Sequence, residues 1–274
     1  MSGWPERTIN SLEDVQRLSD AMGARWPNSD RCLFRGQSSA QWSLQPSLAR
    51  ELTGSRLNWY DILRLERELA NHFRQEAHRT LPQAVLSVHD YVLDWWPFMR
   101  HHGAPTRLLD WSLSPYVALY FAVASRWDED GTLWWFRGTA ADNLMQRRYP
   151  KVYKLHAENV FGSHDGASFF ESEPPAILFY FELRRTIERI GNQQGFFTLC
   201  LDPRADHADV LQELAEYGDG PHCEKLTVPN ARKPELLRDL HLMNVTGKSM
   251  FPGLDGLGLT LTELTRLSIR FGVP

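Results

Sequence analysis

The stretch HHGAPTRLLDWSLSPYVALYFA, residues His101–Ala122, joins a dense group of polar side chains to a nearly uncharged apolar segment. Two histidines, an arginine, an aspartate and two serines lie within its first 14 residues. Such groups are costly to bury unless each finds a partner. From Pro115 to Trp127 the residues are mostly small or aromatic, which predicts a buried helix, and Ser114 before Pro115 is favoured at a helix start. We therefore expect the polar groups to lie close to the core.

The polar part of this stretch has two interpretations. In the first, Asp110, Ser112 and Ser114 hold a ligand together with His102 and Arg107, because these side chains offer charge and hydrogen bonds in a short span. In the second, Arg107 pairs with Asp110 and Ser114 caps the helix, so that the group is a structural network. Residue spacing alone leaves both open.

A second polar group follows an apolar run, Cys32-Leu33-Phe34-Arg35-Gly36. The run predicts a buried strand that carries Arg35 at its end. A guanidinium there offers a planar fork of donors to a phosphate or carboxylate. Gly36 permits close approach of a ligand or of a second backbone, and Gln37 adds an amide. The alternative is structural: Arg35 pairs with a buried aspartate and ties two elements together.

The rest of the chain predicts helices before and after a run of strands. A capped start at Ser11 and an amphipathic pattern from Trp59 to Thr80 predict helices. Another helix is predicted from His89 towards His101, with Pro97 as a kink or break. Predicted strands are Gly131–Arg137, Val152–Leu155, Ala176–Leu183 and Phe196–Leu201, and predicted C-terminal helices lie near Asp209–Tyr217, Lys233–Met243 and Thr260–Phe271. This order predicts an α+β fold in one compact unit.

Composition limits the class of protein. The 274 residues include ten tryptophans and are 42% hydrophobic, which is typical of an ordered globular chain. A net charge of −4 is unlike that of a basic nucleic-acid binder. Three scattered cysteines, the lack of a signal-peptide pattern and the lack of a long apolar run predict a cytoplasmic protein without a membrane segment.

Common catalytic motifs are missing from the sequence. The adjacent pairs His101-His102 and His222-Cys223 are badly spaced for one metal ion, so no metal site is expected. There is also no Gly-x-Ser-x-Gly turn and no Gly-x-x-x-x-Gly-Lys phosphate loop.

Both groups together resemble the FRG domain family. Its pattern, FRG-Q followed by W-x-L-x-P-S-L-x-R and then by H-H-G-x-P-T-R-L-L-D-W-S-x-S-P-x-x-A-L-Y-F-A, is present nearly without departure. Weaker likenesses are Arg189-x-x-x-Gln193-Gln194-Gly195-Phe196 and the C-terminal run Phe251–Leu257. The chain is identified as a member on this basis. We expect one FRG-type domain over residues 1–274, with a core at about 30–200 and a C-terminal extension of helices and strand, 201–274, packed on it.

A further resemblance, to Arg-Ser-Glu ADP-ribosyltransferases, carries implications for fold and mechanism. Phe34-Arg35-Gly36 is similar to the first element of that family, and the segment from Asp110 to Ser114 before a helix is similar to the second. The resemblance implies N-terminal helices around a split, mostly antiparallel sheet and NAD as co-substrate. It also implies that Arg35 holds a phosphate of NAD and that Ser112 orients the nicotinamide ribose.

The third element of that family, a Glu-x-Glu or Gln-x-Glu loop, has no clear counterpart here. Gln193 and Gln194 can bind ribose hydroxyls but cannot act as a base. Glu173, in Glu171-Ser172-Glu173, has the right spacing and is the alternative catalytic residue. Asp110 is another carboxylate that can take this role.

The leading hypothesis is an NAD-dependent ADP-ribosyltransferase-like enzyme that modifies a protein or nucleic acid. Such an enzyme serves as a toxin or an anti-phage defence effector, with an antitoxin or other regulatory partner. The alternative is a non-catalytic module that binds a nucleotide or a nucleic acid. For the latter, Arg147-Arg148 and Arg184-Arg185 are small basic clusters near aromatic residues. A purely structural role for Arg35, Arg107 and Asp110 is the third interpretation.

Overall fold

A seven-stranded sheet organises the residues that the structure, a computed structural model, describes: 3–22, 30–80, 92–154, 157, 175–182 and 188–272. The strands are β1 (Glu6–Thr8), β2 (Cys32–Gln37), β3 (Leu108–Ser112), β4 (Gly131–Arg137), β5 (Leu178–Phe181), β6 (Gly195–Cys200) and β7 (Cys223–Val228). Their order across the sheet is β1-β7-β4-β2-β3-β6-β5. β1 is parallel to β7, and the other neighbouring pairs are antiparallel. The expected mostly antiparallel sheet is confirmed, whereas its likeness to an ADP-ribosyltransferase sheet stays a prediction.

Helices cover both faces of the sheet. They are α1 (Leu12–Ala21), α2 (Ser47–Glu51), α3 (Trp59–Thr80), α4 (Val92–His101), α5 (Pro115–Val123), α6 (Gly138–Arg148), α7 (Glu188–Asn192), α8 (His207–Leu211), α9 (Lys233–Leu242), α10 (Gly247–Met250) and α11 (Leu254–Phe271). Short 3₁₀ helices lie at Gln212–Glu216 and Asn230–Arg232. The α+β class is confirmed, and one continuous sheet makes the described residues a single compact unit.

Alternating side chains divide the core into two layers. Leu33 and Trp134 face the layer that contains α4 and α6, while Phe34 and Trp135 face the layer that contains α5 and α9. All four side chains are almost fully buried. Successive residues of a strand point to opposite faces, so a strand covered on both sides reads as a continuous apolar run. This explains the apolar character of β2 and β4.

Local signals placed several helix ends correctly. Ser11 and Asp14 form a reciprocal capping box at the start of α1, and the Ser114 hydroxyl accepts a hydrogen bond from the Val117 N–H at the start of α5. α3 has the predicted bounds. Helix α4 continues through Pro97 to His101 without a break; its predicted start at His89 lies outside the described residues.

The predicted strand at Val152–Leu155 is wrong. Residues 151–154 are helical, and Leu155 lies outside the described residues. Tyr153 stacks on Phe179 with ring centroids 5.1 Å apart, and its hydroxyl donates to Asp142 Oδ1 at 2.8 Å. These long-range contacts fix a helical segment despite the strand-forming side chains.

The strand β7 was missed by sequence reasoning, although it pairs with both β1 and β4, next to one edge of the sheet. The sheet therefore contains a strand from the segment expected to be an extension, residues 201–274. In β7 the buried Leu226 and Val228 alternate with partly exposed residues, which is the pattern of a half-buried strand. Among the described residues, we find no helix long and apolar enough to cross a membrane.

Close packing between β2 and α5 places the polar residues at the end of β2 beside those that precede α5. A Cβ atom on Gly36 would lie 1.7 Å from the carbonyl oxygen of Ala118 in α5. No side chain fits there, so Gly36 allows the backbones of the strand and the helix to touch. Of the two roles considered for this glycine, the structure supports approach of a second backbone.

The sheet opens between β2 and β3. β2 is in register with β4 along its whole length, from Cys32 opposite Arg137 to Gln37 opposite Thr132. With β3 it is in register at one pair, Phe34 and Ser112. Arg35 lies at the opening.

Candidate functional site

A cleft of about 240 Å³ lies at the opening between β2 and β3. Strands β2, β3 and β6 and helices α4, α5 and α7 all contribute to its walls. Its charged residues are Arg35, Arg100, Asp110 and Arg189, and we call it the arginine cleft. Three guanidiniums thus face one carboxylate.

Asp110 lies at the centre of this charge cluster. Its Oδ2 accepts hydrogen bonds from Arg100 Nε at 3.0 Å and Arg100 Nη2 at 2.9 Å, and Arg35 Nη1 is 3.7 Å away. Burial raises the pKa of Asp110, but the charges of Arg100 and Arg35 outweigh burial and hold it below the ordinary value of 3.8. The carboxylate is therefore ionised at neutral pH.

Arg35 bridges the gap between the two strands. Its Nη1 donates to the main-chain oxygen of Asp110 at 2.6 Å, and its side chain is 16% exposed. The buried Nε has no hydrogen-bond partner among the described residues. Burial lowers the pKa of Arg35 to about 10, with further contributions from Arg100 and Arg50. The group is still a cation at neutral pH, and it has a donor to spare.

Arg189 closes the other side of the cleft. Its guanidinium lies over the ring of Phe251, 4.3 Å from the centroid, and its Nη1 reaches the main-chain oxygen of His101 at 3.5 Å. Burial lowers the pKa of Arg189, and the nearby Asp110 raises it. The pKa of His101 is lowered by burial and by the charges of Arg189 and His102. A neutral imidazole therefore lies beside the arginines.

Ser112 and Gln193 form the polar floor of the cleft. The Ser112 hydroxyl donates to the main-chain oxygen of Gln193 at 2.7 Å and accepts from the Ser114 N–H at 3.0 Å. Gln193 Nε2 donates to the main-chain oxygen of Met250 at 3.0 Å. Among the described contacts, the Gln193 Oε1 accepts no hydrogen bond. Hydrogen bonds within the protein thus hold Ser112 and Gln193 in place, and Gln193 Oε1 can still accept a hydrogen bond from a ligand.

Arg107 neither lines this cleft nor pairs with Asp110, so both of the roles considered for it from the sequence are corrected. It is fully buried and pairs with Glu66 of α3 through Nε and Nη2. Its Nη1 donates to the main-chain oxygens of Cys200 at 3.3 Å and Leu201 at 2.5 Å. A guanidinium with all these donors occupied has little capacity left for a ligand.

Other residues proposed from the sequence lie at different distances from the cleft. Gly36 lines it. Ser114 is engaged as the cap of α5, His102 is exposed and packs against Phe98 outside the cleft, and Gln194 is exposed with a positive φ of 48°. Glu173 lies outside the described residues, so its catalytic role stays a prediction.

Arg100 was missed by sequence reasoning. It directly precedes the stretch His101–Ala122 and is one of the basic residues in the last turn of α4. That position signals a helix end, but its pairing with Asp110 depends on how α4 packs on β3. Among the described residues, no group of three His, Cys, Asp or Glu side chains is placed to hold a metal ion.

A second compartment adjoins the arginine cleft. Its volume is about 710 Å³, and Arg35, Gly36 and Phe121 line both spaces. Its remaining lining is mostly uncharged and polar: Gln37, Ser38, Gln41, Trp42, Ser43, Gln45, Arg50 and Ser125. We call it the amide pocket. Gln37, one of the residues proposed from the sequence, lies here and not in the arginine cleft.

The family model described as FRG domain matches residues 30–131, which include β2, β3 and α5. No curated protein and no solved structure matches the chain at a significant level. The matched segment contains Arg35, Arg100, Asp110 and Ser112, whereas Arg189 lies beyond it.

Proposed function

This chain belongs to the FRG domain family over residues 30–131, and we propose that its arginine cleft binds NAD and transfers ADP-ribose from it to a protein or nucleic-acid acceptor. The pyrophosphate of NAD lies on Arg35 and Arg189, and the nicotinamide ribose lies over Ser112 and Gln193. In this arrangement the reacting carbon is close to Asp110.

One observation carries the proposal: three guanidiniums surround a single carboxylate, and two of them keep unused donors. Arg100 is committed to Asp110, but Arg35 Nε is unpartnered among the described residues. Arg189 makes one long hydrogen bond, at 3.5 Å, among the described contacts. Like charges in a half-buried site repel, and a ligand with two phosphates relieves that repulsion while filling the donors. Charge-assisted hydrogen bonds of this kind contribute about 1.5–3 kcal/mol each.

The proposed reaction breaks the bond between C1′ of the ribose and the ring nitrogen of nicotinamide. Nicotinamide leaves with the bonding electron pair, the acceptor nucleophile forms a new bond to C1′, and the acceptor proton is released to solvent. Positive charge develops on the ribose as the bond breaks, so a nearby ionised carboxylate stabilises the transition state. Asp110 is ionised because Arg100 and Arg35 hold its pKa low.

The biological setting follows from this chemistry. An enzyme that consumes NAD to modify a macromolecule damages its cell unless it is controlled, so we propose a toxin or anti-phage effector with an antitoxin or other regulatory partner. A cytoplasmic location agrees with the need for NAD. It also agrees with three unpaired, buried cysteines, Cys32, Cys200 and Cys223, which are typical of a reducing compartment.

A second function has an observation in its favour. Among the residues that line the arginine cleft, Asp110 is the one carboxylate, and Arg100 holds it. A carboxylate engaged in this way gives weaker support to a cationic ribose. In that case the same cleft is a binding module for a nucleotide or a nucleic acid and performs no chemistry.

Transfer of label from NAD to an acceptor tests the enzyme directly. Wild-type protein, Arg35→Ala and Ser112→Ala are incubated with labelled NAD and cell extract, with Arg64→Ala as an exposed arginine control. We expect label on a macromolecule with wild type and with Arg64→Ala, and a loss of at least tenfold in the other two variants. Binding of NAD without release of nicotinamide favours the non-catalytic module. If NAD does not bind at all, both the enzyme and a binding module for this dinucleotide are contradicted.

A further inference from the structure

We infer that the amide pocket holds the adenine of the dinucleotide whose phosphates lie in the arginine cleft. This inference rests on the proposed function, and it assigns the chemical class of group that the second compartment accepts. The alternative occupant, a base of a nucleic-acid acceptor, shares the same chemistry and is separated from adenine by experiment.

The two compartments together have the size that a dinucleotide needs. Ligand clefts typically measure roughly 300–1,000 Å³. The arginine cleft, at about 240 Å³, is too small for a whole dinucleotide. The amide pocket adds about 710 Å³ on the other side of Arg35 and Gly36. A ligand with its phosphates at Arg35 can therefore extend one half into each compartment.

The lining of the amide pocket fits a nucleobase. Trp42 is 45% exposed there, which is unusual for so large an aromatic side chain. Gln41 and Gln45 have side-chain amides without a hydrogen-bond partner among the described residues. Glutamine amides pair with the N6 and N7 edge of adenine, and aromatic rings stack on bases of any sequence. No carboxylate is among the lining residues, so nothing there repels a phosphate nearby.

Trp42 is held in place from one side. The guanidinium of Arg126 lies over the indole ring, 5.0 Å from its centroid, and pairs with Glu129. Arg126 has a φ of 50°, a backbone conformation that residues other than glycine rarely adopt. A ring fixed in this way offers a stacking surface with little loss of conformational freedom on binding.

The walls of the pocket are joined by a buried ammonium group. Lys233, which is fully buried in α9, donates from Nζ to the main-chain oxygens of Ser38 at 2.7 Å, Arg126 at 2.8 Å and Ser125 at 3.3 Å. Ser38 and Ser125 line opposite segments of the pocket, after β2 and after α5. The compartment is therefore preformed, since one side chain ties its two walls.

Positive charge continues from one compartment to the other. Arg50 lines the amide pocket and donates from Nη1 to the main-chain oxygen of Gln45 at 2.7 Å. Its charge and that of Arg100 both act on Arg35. The junction between the two spaces is thus positively charged, and it is where a pyrophosphate that links two nucleosides has to lie.

Splitting the dinucleotide into its halves tests the assignment. Dissociation constants are measured for NAD, AMP and nicotinamide mononucleotide with wild type, Trp42→Ala, Trp42→Phe and Gln41→Ala. Tyr60→Ala, which removes another exposed aromatic ring (67% exposed), is the control. We expect Trp42→Ala to weaken NAD and AMP about 5- to 150-fold and to leave nicotinamide mononucleotide within about twofold. Trp42→Phe, which keeps an aromatic ring, should restore most of the loss.

Every other outcome contradicts either the assignment of adenine to the amide pocket or the proposed function itself. If wild type binds NAD and Trp42→Ala binds it equally well, the adenine assignment is wrong while the proposed function stands. If Trp42→Ala loses affinity for a single-stranded oligonucleotide but keeps its affinity for NAD, the pocket holds an acceptor base instead. If wild type binds none of the three nucleotides, the proposed function itself fails. Thermal unfolding of each variant shows whether it folds, and Gln41→Ala repeats the test without removing a large side chain.

Discussion

Arg107 and Arg35 both lie in the segment that the family model matches, but they differ in how many of their hydrogen-bond donors have a partner in the protein. Arg107 is fully buried, pairs with Glu66, bonds to two main-chain oxygens and lies over the ring of Trp96, 5.3 Å from its centroid. Arg35 bonds to one main-chain oxygen and has a buried Nε without a partner among the described residues. The first side chain is fully engaged, and the second is not.

The contrast separates a structural arginine from a ligand-binding one. Both occur in polar groups next to apolar runs, so their sequence contexts look alike. What differs is the number of donors that the folded chain itself satisfies, and buried polar groups in native proteins are nearly always satisfied. A donor left without a partner beside an open cleft therefore points to a ligand.

The largest expected effect is on stability, at the satisfied arginine. Glu66→Gln leaves the charge of Arg107 buried and uncompensated, which typically costs about 3–5 kcal/mol. Urea denaturation measures the free energy of unfolding. Glu68→Gln is the control, since Glu68 pairs with Arg64 on the exposed side of the same helix. Its expected cost is about 0.5 kcal/mol or less. Equal losses in the two variants would contradict the distinction.

Acid should lower the stability of the fold through a buried histidine, His207, whose ring contacts Thr198 of β6. Burial lowers the pKa of His207 from 6.5 to about 3, with the charge of Arg35 as a further cause. Between these values the unfolded chain takes up a proton that the folded chain does not, so stability falls as pH falls below 6.5. The loss is about 1.4 kcal/mol per pH unit, or roughly 2 kcal/mol by pH 5.

Comparison of wild type with His207→Gln in urea at pH 7 and pH 5 isolates this contribution. The difference between the two pH values should shrink by roughly 2 kcal/mol in the variant. An unchanged difference would mean that His207 is protonated in the folded state at pH 5.

Removal of the carboxylate from the arginine cleft should separate binding from catalysis. Asp110→Asn takes away the one negative charge among the described lining residues, so affinity for pyrophosphate should rise about threefold to tenfold. Stability should change by about 1 kcal/mol or less, because the pair is partly exposed to solvent. If Asp110 stabilises the cationic ribose, release of nicotinamide falls at least tenfold.

The pH profile gives a control for this variant. The pKa of Asp110 is held below 3.8, so the wild-type charge is constant from pH 5 to pH 8. Affinity for pyrophosphate should differ between wild type and Asp110→Asn by the same factor across that range. A factor that changes with pH near 7 would show that this carboxylate is not ionised as inferred.

The last expected effect is at the floor of the cleft. Ser112→Ala removes two neutral hydrogen bonds, one to the Gln193 carbonyl and one from the Ser114 N–H, which are together worth about 1–2 kcal/mol of stability. Ser112→Thr keeps the hydroxyl and is the matched variant. A thermal unfolding scan of the two proteins compares them. A large loss in Ser112→Ala would give this serine a mainly structural role.

The parts of the fold that the sequence predicted correctly are those that depend on residues close together in the chain. The bounds of α3 and β4 and the cap of α5 depend on periodicity and on residues a few positions apart. The strand β7 and the helical residues 151–154 depend on packing against distant segments. The same limit applies to the site. Arg35 and Ser112 could be proposed from motifs, but the partner of Arg107 is Glu66, which lies 41 positions earlier.

Calorimetric titration of ADP-ribose tests the central claim most directly. Arg189 lies in the cleft, is partly exposed and makes few contacts with the described residues, so Arg189→Ala should fold normally and bind at least tenfold more weakly than wild type. Arg64→Ala, an exposed arginine on α3, should bind like wild type. Equal affinity of all three proteins, or no heat with any of them, would contradict the claim that arginines with unused donors make this cleft a dinucleotide site.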